Sequence, residues 1–265
     1  MCSVLEIPRS SYYKRQNNRL SKRDQENKKI KVEIRRIFSE SKKRYGSPRI
    51  TEELKREGIN CNRKRVARIM REEGLSAKMF RRYKVTTQSD HNKTRDKNIL
   101  NGKFESTRVN QIWSGDITYI RTSEGWLYLA AVMDIHTRKI LGWQTDSRIT
   151  SKLVEEAIIK ALMENESPEI FHSDQGVQYA SERFRKILRD NKIRQSMSRR
   201  GNCYDNAITE SFFHTLKTEL IKQNKYKTRL EARLSLFEYI EIFYNRKRLH
   251  SSLGYLSPVE YEKFS

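Results

Sequence analysis

The stretch IWSGDITYI (112–120) is an apolar run of strand length with one acid, Asp116, in its middle. An ionised carboxylate in a strand destined for burial is costly unless something binds it. Two further runs follow at once, WLYLAAVMDI (126–135) and RKILGWQTD (138–146), joined by a short turn at His136-Thr137. The spacing then becomes helical. In SKLVEEAIIKALMEN (151–165), Leu153, Val154, Ala157, Ile158, Ala161 and Leu162 form one apolar face. EIFHSD (169–174) reads as a short strand. SERFRKILRDN (181–191) reads as a helix with Phe184, Ile187 and Leu188 inward, and IRQSMS (193–198) as a strand. DNAITESFFHTLKTELI (205–221) and RLEARLSLFEYIEIFYNRKR (229–248) read as helices. The order β-β-β-α-β-α-β-α-α predicts an α/β fold, a mixed sheet covered by helices.

Two more acids fall at informative places. Asp174 ends a short strand and Glu210 sits early in a helix, with 35 residues between them. Any one of these acids alone would be structural. Together they suit hard divalent cations, which take oxygen ligands and need only one or two protein carboxylates each. Two such ions about 3.5–4 Å apart can clamp the attacking and leaving oxygens of a phosphoryl displacement. Lys217 lies seven positions after Glu210, and His214 four after it, so all three project from one helix face. A carboxylate holding metal beside a lysine holding phosphate is a coherent nucleic-acid site. Glu210 and His214 do not make an HExxH motif, which excludes a zinc peptidase of that type.

The region upstream has a different character. The 265-residue chain has a net charge of +22, of which residues 1–100 contribute +17 and the rest +5. Such a balance calls for a polyanionic partner. Residues 1–27 are basic with little periodicity. From Lys28 onward, Ile30, Ile34, Ile37 and Phe38 make one helical stripe, with Gly46 as its end. Ser47-Pro48 reads as an N-cap and a proline at the first helical position, opening a second helix on Ile50 and Leu54 that Gly58 stops. Asn62 caps a third, with Val66, Ile69 and Met70 inward, and Gly74 closes it. Residues 28–76 therefore fit a helix-turn-helix. The third helix carries Arg63, Lys64, Arg65, Arg68 and Arg71 on its outer face, where a recognition helix meets duplex DNA. Residues 77–108 read as a linker in which Arg81, Arg82 and Lys84 contact phosphates, and 109–265 as the catalytic domain. No stretch approaches the ~20 apolar residues of a membrane span. The N-terminus lacks a signal-peptide layout, and three scattered cysteines form no disulfide framework. A cytoplasmic location follows, with no membrane partner.

HSDQGVQY (172–179), SMSRRGNCYDNAITESFFHTLKTE (196–219) and YNRKRLHSSLGYLSPVEYE (244–262) resemble the catalytic core of bacterial insertion-sequence transposases in the retroviral-integrase superfamily. The resemblance is to the OrfB proteins of the insertion-sequence-three family. It extends through WSGDITYI (113–120) and GWLYLAAVMDIHTRKILGW (125–143) and covers 109–262 nearly continuously. The helix-turn-helix, with YGSPRI and NRKRVARIMREEGL, and the leading PRSSYYKR (8–15) are similar to the segments preceding that core.

The resemblance implies an RNase H-like fold and an acidic triad. By position the triad is Asp116, Asp174 and Glu210, holding two Mg²⁺ (or Mn²⁺) ions. It implies a basic residue seven after the Glu, which Lys217 supplies, and places Asn202 and Asn206 in the intervening motif, orienting a loop or touching DNA. The implied activity is DNA nicking and strand transfer at the ends of a bacterial insertion sequence, with double-stranded DNA as partner, a homo-oligomer on DNA, and action at the nucleoid. It also implies an upstream-frame OrfA partner bearing a leucine zipper. This chain has no zipper heptads, which leaves two readings: the downstream product, or a part of the active enzyme. The zinc module of retroviral integrases is not expected, since the first histidine is His91. The other class that fits is a DNA-binding regulator without activity of its own. A ribonuclease of the same fold is disfavoured by the helix-turn-helix.

Overall fold

The computed structural model describes residues 8–16, 21–77, 99–100, 106–198 and 207–265. The chain divides into two compact units, residues 1–78 and 79–265.

The first unit is helical. A short helix, α1 (Arg9–Gln16), precedes α2 (Lys22–Glu40). α2 begins six residues before the expected start. Ser21 and Asp24 close a reciprocal cap there, satisfying two backbone donors that a fraying end would expose. It also ends earlier than Gly46. The left-handed residues Lys42 and Lys43 terminate it, and the Lys43 N–H returns to the Phe38 carbonyl at 2.9 Å. Gly46 is instead the N-cap of α3 (Ser47–Arg56), so Ser47 is inside the helix and supplies no side-chain cap. Asn62 caps α4 (Arg63–Glu72) as expected, its side chain accepting from Lys64 N–H at 2.8 Å. Gly58, with φ +78°, makes the turn after α3. Ile30, Ile34, Ile37, Phe38, Ile50, Leu54, Val66, Ile69 and Met70 form the core. Arg36 joins α2 to Glu57 at the end of α3, and Glu73 after α4 pairs with Lys31 and Arg35 of α2.

The second unit is built on a five-stranded sheet in the order β3-β2-β1-β4-β5. β1 (Ile112–Thr122), β2 (Gly125–Asp134) and β3 (Ile140–Asp146) form an antiparallel meander. β4 (Ile170–Ser173) and β5 (Arg194–Met197) add in parallel beside β1. α5 (Ser151–Glu164) and α6 (Glu182–Asp190) share a core with Trp113, Val132 and Phe171. Gly142 lets α5 press onto β3: a Cβ there would lie 2.4 Å from the Ala157 carbonyl oxygen. The helix α7 (Ala207–Glu219) packs against β1. α8 (Arg229–Phe237) is shorter than the expected helix because the chain continues through a π-helical stretch, Glu238–Tyr244. That stretch buries Tyr239, Ile240, Phe243 and Tyr244, and a last short helix, α9 (Pro258–Glu262), follows. Asn245 caps the outer edge of the sheet, exchanging two 2.9 Å hydrogen bonds with the backbone of Ile140. The end of the expected linker belongs to this unit. Leu100 is buried with Ile112, Ile135 and Ile170, and the Ile99 N–H donates to Ser196 Oγ at 3.1 Å.

Candidate active site

The three acids reach one rim of the sheet by separate routes. In the parallel pairing of β1 with β4, the last register pair is Gly115 opposite Ser173. Asp116 and Asp174 are the next residues on two neighbouring strands. β4 stops there while β1 continues to Thr122. Beyond Gly115, among the described residues, the free side of β1 meets only a bridge from Thr122 to Tyr226. The site therefore lies where one strand outruns its neighbour, with an open edge alongside.

Local backbone fixes both aspartates. Asp116 Oδ1 accepts from the Ile117 N–H at 2.7 Å, and Asp174 Oδ1 from the Gly176 N–H at 2.9 Å. Glu210 arrives from the first turn of α7. The adjacent Thr209 hydroxyl lies 2.6 Å from that of Ser114, and the pair is buried. Ser114 and Asp116 are two apart on a strand and share a face. That hydroxyl contact thus ties the start of α7 to the side of β1 that carries Asp116.

The charges feel one another. Burial, then the negative charges of Asp174 and Glu210, push the Asp116 carboxyl up to about 8 against the pull of the Ile117 N–H and Lys217. Burial also raises Glu210. Burial lowers the Lys217 ammonium while Asp116 works to keep it charged. Lys217 Nζ stands 5.3 Å from the centre of the Tyr119 ring. His214 is exposed on the same helix.

The donor set is all carboxylate oxygen, which suits Mg²⁺ or Mn²⁺ and not a soft metal. Among the described residues, no three His, Cys, Asp or Glu side chains are gathered closely enough to hold one ion between them. The fit rests on the pair at the β1–β4 junction, where mutual repulsion makes a cation favourable, with Glu210 within electrostatic reach.

Other positions matter that the sequence did not single out. Tyr179 is buried between Phe171 and Phe184, at ring distances of 6.1 and 5.3 Å. Its hydroxyl is 3.3 Å from where a Cβ on Gly115 would stand, and burial followed by Asp116 and Asp174 raises its phenol well above the ordinary value. Its signal was present, since it ends HSDQGVQY. At the far end of α7, Glu219 accepts from the Tyr239 hydroxyl at 2.8 Å and from Arg248, both partners of the ion pair being buried. This pairing holds the turn that carries Lys217. Asn202, Asn206, Arg81, Arg82 and Lys84 lie outside the described residues.

On α4 the basic residues differ in their engagement. Arg63, Lys64, Arg68 and Arg71 are exposed. Arg65 is half-buried and reaches back to α2, donating to Asn27 at 2.9 Å and Glu26 at 3.2 Å. Arg68 pairs with Glu72 at 2.7 Å.

A mixed sheet of this order, with acids at the β1–β4 junction and on a following helix, is an RNase H-like integrase catalytic core. Family comparison agrees: models described as "Integrase core domain" match residues 106–203 and 210–265, and an "HTH-like domain" matches 23–83. Transposase InsF of insertion sequence IS3A from Escherichia coli is 41% identical over 99% of this chain and 92% of its own length. A 31 kDa protein of insertion element IS600 from Shigella sonnei is 41% identical over 99% of this chain and 97% of its own. The IS904 transposase of Lactococcus lactis is 44% identical over 94% of this chain and 99% of its own. The chain belongs to the IS3 family of insertion-sequence transposases. Among solved structures, a chain of the simian T-cell lymphotropic virus intasome in complex with PP2A regulatory subunit B56 gamma aligns over 86% of this chain and 74% of its own, with TM-score 0.51 and 17% identity, a likeness of fold.

Proposed function

We propose that this transposase nicks DNA at the ends of its insertion sequence and joins the freed 3′-hydroxyl to target DNA, with Asp116, Asp174 and Glu210 as ligands of two Mg²⁺ (or Mn²⁺) ions. The observation that carries the reading is the placement of Asp116 and Asp174 as the next residues past the last β1–β4 register pair, Gly115 opposite Ser173, where their charges act on one another. When bound, divalent ions supply charge neutralisation at the reacting phosphate and lower the pKa of attacking water. The protein's own part is positioning. Asp116 and Asp174, each fixed by a backbone N–H, of Ile117 and Gly176, would offer carboxylate oxygens from neighbouring strands, and Glu210 would join them from α7, whose start is tied to β1 through Thr209 and Ser114. Lys217 binds the scissile phosphate or its neighbour. Water attacks phosphorus in line, the P–O3′ bond breaks, and the 3′-oxygen leaves as a hydroxyl. That hydroxyl then attacks the phosphorus of a target phosphodiester in the same geometry, losing its proton, while the target's own P–O3′ bond breaks and its 3′-oxygen leaves as a hydroxyl, as phosphoryl transfer by positioning allows.

Arg63, Lys64, Arg68 and Arg71 contact the duplex through α4, Asn202 and Asn206 contact DNA, and Arg65 sets the helix. Joining two ends requires at least two copies on DNA, working in the bacterial cytoplasm at the nucleoid, with an OrfA product as a further partner. No helix among the described residues is long and apolar enough to cross a membrane. The test is nicking and strand transfer on a terminal-repeat duplex, with and without Mg²⁺, beside Asp174→Asn. Wild-type activity that needs Mg²⁺ and is lost in the variant is expected. Equal activity in both proteins removes the triad from the mechanism. Inactivity of both with DNA binding retained favours the regulator.

A further inference from the structure

Two large aromatic side chains stand exposed on the β1–β2 hairpin, next to Lys217. Tyr119 is 53% and Trp126 46% exposed, whereas Trp113 is fully buried. They stack edge to face with ring centres 5.1 Å apart and planes at 86°. The register explains the pairing: Tyr119 is opposite Tyr128 and Arg121 opposite Trp126, so Tyr119 and Trp126 are diagonal neighbours on one face of the β1–β2 hairpin.

Exposed aromatics scattered singly need no account. This pair is organised. The Arg229 guanidinium donates to the Trp126 carbonyl at 3.1 Å, and the Arg229 N–H to Glu124 at 2.8 Å, so the hairpin end is fastened to the start of α8. Lys217 Nζ lies over Tyr119 at 5.3 Å. Tyr119 is three residues beyond Asp116 along the open edge of β1. Asp116 and Tyr119 point to opposite faces of β1, and Lys217 of α7 reaches round the open edge between them to lie over the Tyr119 ring.

A base in duplex DNA keeps its faces stacked on its neighbours, and only an unpaired base offers one to a protein. What such a base needs is an aromatic surface, with a cation nearby for the phosphate. We propose that Tyr119 and Trp126 form a stacking site for an unpaired nucleobase of the DNA end, adjacent to the phosphate that Lys217 positions. The proposal rests on the nucleic-acid reading of the site and adds the state in which the end is held: frayed, with one base out of the duplex. Stacking is tolerant of base identity, so the site takes any base.

The test uses the full chain carrying Asp174→Asn, so that binding is read without cleavage. The probe is a duplex with a short unpaired 3′ tail ending in 2-aminopurine, with a fully paired duplex as control. We expect binding to quench the tail fluorescence several-fold. Adding Tyr119→Ala or Trp126→Ala should abolish most of the quench and weaken binding of the tailed duplex about ten-fold, with a far smaller effect on the paired one. Tyr119→Phe and Trp126→Phe should keep the quench. A quench that survives both alanine substitutions overturns the proposal. So does equal weakening of tailed and paired duplexes, which marks lost folding or general DNA contact. Failure of the catalytic reading is seen separately, as a wild-type chain that does not nick, and leaves the fluorescence result to stand by itself.

Discussion

Asp116 is where fold and chemistry pull against each other. Its carboxyl is raised from 3.8 to about 8, so without metal the folded chain holds a proton that the unfolded chain releases. The sign follows: this proton favours the fold at low pH, and its contribution is lost as pH rises from about 4 through about 8. Replacing the carboxylate with an amide removes the repulsion. Asp116→Asn should therefore raise the melting temperature of the metal-free catalytic unit by several degrees near pH 8, and by less near pH 5. Thermal unfolding at the two pH values measures this, and a variant that melts at or below wild type at the higher pH contradicts it. Mg²⁺ should raise the melting point of wild type more than that of the variant. Gly115 makes a second point at this scale. A Cβ there would lie 2.5 Å from Phe171 Cζ, so the absence of a side chain lets Phe171 and Tyr179 pack beneath the acids.

The helix α7 shows what one element adds. Its first turn is tied to β1 through Thr209 and Ser114, and its last through Glu219 to Arg248 and Tyr239. Thr209→Val keeps the shape and removes the hydroxyl, leaving the buried Ser114 short of that partner. The cost should be about 1–3 kcal/mol by urea unfolding. Nicking should fall further than the unfolded fraction explains, because Glu210 loses its anchor. Activity unchanged under strongly native conditions would show that α7 is placed by its apolar face alone. How much of this was legible varies by element. The strands and α5–α7 follow from apolar spacing, because each buries one face and its period is local. Asp116 stood out as an acid in an apolar run, and the structure sets it on the strand next to Asp174, within electrostatic reach of Glu210 and Lys217. The starts and ends were harder. Ser21 with Asp24 begins α2 among residues that carry no apolar period, and left-handed Lys42 and Lys43 end it without a glycine. Tyr119 and Trp126 look like strand residues in the sequence, and only the register brings them together beside Lys217.

Across the whole molecule the charge is divided by task, +17 in the first hundred residues and +5 in the rest. In the proposed function that division separates holding DNA from cutting it, and on α4 net charge overstates the side chains free to meet a duplex. Arg65 is committed to Asn27 and Glu26 on α2. Lys64 and Arg71 are exposed. Each phosphate contact removed should reduce the slope of log affinity against log salt by about one, whatever the sequence bound. Lys64→Ala and Arg71→Ala should each do this while leaving the melting of the helical unit nearly unchanged. Arg65→Ala should do the reverse, lowering the melting point and changing the slope little, because its guanidinium links two helices. Salt titrations of duplex binding by fluorescence anisotropy, with melts of the same proteins, separate the two effects. Equal slope changes at all three positions would mean that α2 releases Arg65 when DNA binds, and that its hydrogen bonds to α2 belong to the free protein alone.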